Sequence, residues 1–169
     1  IGPLVAPASA QGTFNATPST LGVIPDSVGE CGGDGPPRVV AVPVSGAVGG
    51  VTSVSVSMAL THSWMGEITA TLISPDGTAH VLFGRTLATS VPYWGTDSDL
   101  TGGTYSFSDA AGGNWWAAAA LSPVAPGAYR TSAMGGFPSA TGAATAMNPV
   151  FANREPNGNW LVRFTDSCR

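Results

Sequence analysis

Lysine is absent from this 169-residue chain, and charged residues make up only 9% of it, against roughly a quarter in an average soluble domain. The six basic side chains are therefore all arginines. They lie scattered, and with a net charge of −4 they form nothing like the clustered cations that neutralise nucleic-acid phosphates. Nucleic acid is excluded as an expected partner. No window approaches the eighteen or more uncharged apolar residues of a membrane-spanning helix, so no membrane span is expected. No charged-then-apolar leader opens the chain, which starts at Ile1, and this reads as a processed form secreted to the extracellular space. A surface so poor in charge suits a free monomer badly, and neighbours are expected to cover part of it.

Histidine is nearly as scarce, with two residues, His62 and His80. His80 has no nucleophile or carboxylate near it in sequence from which to form a triad. Neither histidine has metal-ligand spacing such as H-x-x-x-H. No phosphate-binding glycine loop and no G-x-S-x-G elbow occurs. The chain reads as non-enzymatic. It has two cysteines, Cys31 and Cys168, without a second ligand at metal spacing. In an extracellular chain the simplest reading is one disulfide closing most of the molecule into a loop, worth about 4–5 kcal/mol in chain entropy.

What the chain does contain is strand pattern. From Val51 to Leu60 apolar and small polar residues alternate, the period of a half-buried strand. After a turn at Ser63 to Gly66, Ile68, Ala70 and Leu72 share one face. Ser74-Pro75-Asp76-Gly77 then offers proline and glycine where a β-turn wants them. Thr78 to Phe83 predicts a third strand, so that the three together form a meander. Arg38 to Ser45, Thr104 to Phe107 and Trp160 to Thr165 read as further strands, and Pro43 assigns the first of these to an edge or bulge. Asn114-Trp115-Trp116 and the alanines after it suit one helical turn or a packed loop. Pro126 to Arg130 reads as a turn. Short strands punctuated by glycine and proline, without a long amphipathic helix, predict an all-β sandwich.

Three ordered motifs also carry a resemblance. His62-Ser63-Trp64-Met65-Gly66-Glu67-Ile68, followed by Leu72-Ile73-Ser74-Pro75-Asp76-Gly77-Thr78, resembles the H-x-x-x-G-D-L and L-x-S-P-x-G-T core of the P domain of subtilisin-like proprotein convertases. Ile24-Pro25-Asp26 resembles that family's leading segment, and Pro156 to Asp166 its G-x-W-x-L-x-V-x-D strand. The resemblance spans Phe14 to Asp166 and implies a jelly-roll β-sandwich, so the chain divides into an arm, 1–13, and a P-domain-like sandwich, 14–169. It departs from the family pattern at Glu67, where aspartate is usual, and after Arg169, where the family runs on through one more strand. At the motif positions His62, Glu67 and Asp166 the expected roles are structural.

Calcium is the expected cofactor. Asp97-Ser98-Asp99-Leu100-Thr101-Gly102 matches the first half of a D-x-D-x-[DNS]-G loop. Asp109 stands one residue beyond the place of the bidentate glutamate, and relatives in the resembled family often bind calcium. A solvated acidic turn is the competing reading. Trp160 is assigned to the core. Trp115 and Trp116 cannot both point inward from a strand, so one of them is a candidate surface contact, either with sugar or with another subunit. Asn15-Ala16-Thr17 is a glycosylation sequon, placing Asn15 on a surface loop.

Two functions compete on these residues. One is a structural subunit that self-assembles into an extracellular filament by donating its uncharged arm, with Leu4, Val5 and Ala6, to a neighbour's open sheet edge. Pro3 and Pro7, each lacking a ladder donor, stand against it. The other is an accessory or binding module of a secreted subtilisin-like protease or other extracellular enzyme.

Overall fold

The computed structural model describes residues 12–31, 33–89, 94–136 and 142–169. The expected arm residues Leu4, Val5 and Ala6 lie outside the described residues. Along the chain run β1 (Arg38–Val44), β2 (Ser55–His62), β3 (Ile68–Ile73), β4 (Ala79–Gly84), β5 (Leu100–Ser108), α1 (Trp115–Ala119), β6 (Gly127–Tyr129), α2 (Asn148–Phe151) and β7 (Gly158–Asp166). They form a four-stranded sheet in the order β1-β7-β3-β4 and a three-stranded sheet in the order β2-β5-β6. The all-β sandwich is thus present, its two sheets enclosing one core.

The closing strand buries alternate residues, as the pleat requires. In β7, Trp160, Val162, Phe164 and Asp166 are buried. In β3, Ile68, Ala70 and Leu72 face the same core. From the opposite sheet come Tyr105 and Phe107 of β5, with Val56, Met58 and Leu60 of β2 packed against the cluster. Pro43 sits in β1, which among the described residues is an edge strand pairing with β7, where a missing donor costs no ladder bond on the outer side.

Two expectations are corrected here. Residues 51–83 do not form a meander, because β2 pairs with β5 while β3 pairs with β4 and β7. The link between β2 and β3 crosses from one sheet to the other through a 3-10 turn, Met65–Glu67, entered by Trp64 in the left-handed region at φ 59°. A strand alternation says which residues face inward but not which sheet receives them. Residues 127–129, read as part of a turn, instead form β6, parallel to β5.

Trp115 and Trp116 also depart from expectation. The helical turn α1, capped by the Asn114 side chain accepting from Ala117 N–H at 2.9 Å, turns both indoles inward, at 1% and 9% exposure. Helical spacing, unlike strand alternation, permits neighbours to be buried together at a corner. Trp115 is surrounded by Phe83, Phe107 and Tyr129, with ring centroids 4.6, 5.1 and 5.1 Å away. Its Nε1 donates to Thr86 Oγ1 at 2.9 Å. Neither tryptophan is free to be a surface contact.

Candidate functional site

Three ionisable side chains, His62, Glu67 and Asp166, converge at one end of the sandwich, where β2, the 3-10 turn and β7 meet. His62 is the last residue of β2 and continues its inward-facing series, Val56, Met58, Leu60. Glu67 ends the 3-10 turn. Asp166 ends β7 and pairs with Ile68, the residue after Glu67. With Asp26, Ser63, Trp64 and Arg169 these three line a cleft of about 190 Å³.

The local backbone explains why this corner holds its shape. Gly66 N–H donates to Thr96 O at 2.9 Å, and Met65 N–H to Ser98 O at 2.8 Å. A Cβ on Gly66 would stand 2.3 Å from Thr96 N, so only glycine allows the turn to lie on the 95–96 backbone. On the other side, Ser167 N–H and Oγ both donate to Glu67 O, at 3.1 and 3.0 Å. Asp166 is held from both ends: its Oδ1 accepts Cys168 N–H at 3.0 Å and its main-chain oxygen accepts Gly35 N–H at 2.6 Å.

Cys31 and Cys168 form the expected disulfide, joining positions 137 residues apart in sequence. It ties the loop before β1 to the segment after β7, directly behind the cleft. One carboxylate oxygen of Glu67 lies within 4.8 Å of both sulfurs, and one within the same distance of His62 and Asp166 ligand atoms. Glu67 is therefore the hub of this corner.

Its electrostatics follow from crowding. Burial, then the Asp166 and Asp26 carboxylates, push the Glu67 carboxyl up to about 7. For His62, burial lowers the imidazole and outweighs the opposing pull of Asp166, Asp26 and Asp99. His62 Nε2 stands 3.4 Å from Asp166 Oδ2, yet this nitrogen is buried without a hydrogen-bond partner among the described residues. The two groups face each other without the geometry of a hydrogen bond.

The expected calcium ligands do not gather as one set. Asp99 and Asp109 flank the nine-residue strand β5, whose rise of about 3.3 Å per residue keeps them roughly 30 Å apart. Asp109 is occupied elsewhere, accepting Met147 N–H and Asn148 N–H at 2.8 and 2.9 Å at the start of α2. Asp97 and Asp99 remain exposed on the loop before β5. Sequence spacing suggested a contiguous loop because it carries no information about where a strand begins. Asn15 is exposed, as its sequon requires. His80 lies apart from the cleft, 3.1 Å from Thr131 Oγ1.

The proprotein convertase P-domain family model matches residues 51–116, from the segment leading into β2 through the first residues of α1. The chain therefore carries a P-domain-like module, a β-sandwich of the kind associated with subtilisin-like proteases, where it is a non-catalytic helper. No curated protein and no solved structure matches the chain. His62 and Glu67 fall inside the matched stretch. Asp166 lies beyond it, and only the fold brings it to them.

Proposed function

We propose that this chain acts as a secreted, non-catalytic accessory module of a subtilisin-like protease, stabilising the enzyme by packing beside it. The observation that carries the reading is the P-domain match over residues 51–116. The sandwich built around it and the disulfide, at home in an extracellular setting, add support. Leu21, Val23 and Val28, exposed on one loop, supply apolar surface for such packing.

The test mixes the purified chain with the catalytic domain of a subtilisin-like protease secreted by the same organism. Light scattering on a sizing column should show a monomer alone and a complex in the mixture. The protease should then survive heating longer with the chain than without it. No complex and no protection overturn the reading. Filaments in negative stain that disappear when residues 1–13 are deleted would replace it with arm-donated self-assembly.

A further inference from the structure

We infer that His62, Glu67 and Asp166 form a binding site for a divalent transition-metal ion of the zinc type. One nitrogen and two carboxylate oxygens, each within 4.8 Å of the others, converge from three separate elements. His62 Nε2 and Asp166 Oδ2 are 3.4 Å apart. Two ligands on a tetrahedral zinc, with bonds of about 2.0–2.2 Å, stand roughly 3.4 Å from each other. This pair is therefore already at ligand spacing.

An ordinary histidine–aspartate ion pair does not account for the arrangement. Its nitrogen would donate a hydrogen bond to the carboxylate, whereas Nε2 is buried with no hydrogen-bond partner among the described residues. In its Nδ1–H tautomer His62 presents at this nitrogen a lone pair shielded from water beside a carboxylate, with a second carboxylate close by, as a metal ligand does. Asp166 is preset by its bond from Cys168 N–H, the outer-shell support that orients ligating carboxylates. Glu67 is only partly buried, and rotation of its side chain into the cleft closes the set. The cleft, lined also by Asp26, leaves the fourth position to water or to that carboxylate.

The donor types choose the ion. Calcium takes six to eight oxygens and has little use for imidazole, whereas imidazole with carboxylates suits zinc, cobalt and their neighbours. The second three-membered group, Cys31, Glu67 and Cys168, has both sulfurs committed to the disulfide. Bound at the first group, the ion would clasp β2 to β7 across the two sheets and raise the stability of the fold by mass action.

The experiment titrates untagged, EDTA-treated full chain with zinc chloride by calorimetry at neutral pH, and follows the melting temperature. One equivalent is expected to bind and to raise the melting temperature. Cobalt(II) in place of zinc should give visible absorption bands of a low-coordinate site. His62→Gln and Glu67→Gln should each weaken zinc by at least about a hundredfold, since even outer partners of a ligand are worth about 10–100-fold. His80→Gln should leave it unchanged. Glu67→Gln, at a half-exposed position, keeps the test decisive should His62→Gln fold poorly. No zinc uptake, uptake that survives both substitutions, or a preference for calcium over zinc overturns the proposal. The titration uses the chain alone and is independent of any protease partner.

Discussion

His62 Nε2 lies 3.4 Å from Asp166 Oδ2, and the contact joins strands belonging to opposite sheets of the sandwich. Behind it the Cys31–Cys168 disulfide binds the loop before the first strand to the segment after the last. The closing strand is thus fixed at its end by a buried carboxylate and, two residues on, by a covalent bond.

Asp166→Ala should be among the costliest polar substitutions. The side chain is 3% exposed, and its removal strands Cys168 N–H. Leaving such a group unsatisfied costs about 1–3 kcal/mol, so urea denaturation should show a loss of about 1–3 kcal/mol. Asp166→Asn keeps an acceptor for Cys168 N–H and should lose less.

Replacing both Cys31 and Cys168 by serine releases a cross-link spanning 137 residues. A loop of that size is worth about 4–5 kcal/mol in the chain-entropy account. The denaturation midpoint should fall accordingly, with the native near-ultraviolet spectrum kept in the absence of denaturant. A midpoint unchanged within error would show that the cross-link's constraint on the unfolded chain is offset elsewhere.

Trp115→Ala should cost about 3–5 kcal/mol, the range for deleting a large core aromatic, because the indole fills the centre of the aromatic cluster. Thr86→Val tests the indole's hydrogen bond separately. It removes the acceptor while conserving shape and should cost about 1–3 kcal/mol, read in the same denaturation experiment.

The pH dependence of stability follows from Glu67, whose carboxyl is raised to about 7 in the fold from an ordinary value of 4.5. A raised carboxyl binds its proton more tightly when folded than when unfolded. Between about 4.5 and 7 the native state therefore carries more protons, and stability falls as pH rises through that window. In EDTA, melting temperatures of the parent should decline over this interval more steeply than those of Glu67→Gln. Parallel profiles would place the proton elsewhere.

Much of the sandwich is legible in local residue order. Alternation from Val51 to Leu60, over Ile68, Ala70 and Leu72, and from Trp160 to Thr165 marks three strands and the faces they bury, because the pleat has a period of two whatever the fold. The Ser74-Pro75-Asp76-Gly77 turn is equally local, with Gly77 at φ +87°. The two cysteines, having no other partner to choose, named their own disulfide. The motif around Gly66 also marks a tight corner, since its glycine is demanded by a backbone passing over it.

What the tertiary structure alone decided is which strand joins which sheet, and therefore which side chains meet. β2 follows the alternation of a meander but pairs with β5, because sheet membership depends on the path of the connecting turn and not on facing. Trp115 and Trp116 share the core because a helical turn replaces a strand there. Asp109 is near Asp97 and Asp99 in sequence but held away from them by an extended strand, while Asp166 is distant in sequence from His62 and Glu67 and adjacent to them in space. Spacing along a chain reports ligand sets only when they lie on one loop or one helix. A set gathered from the ends of two strands and the turn between sheets exists only once long-range pairing has placed β7 beside β3.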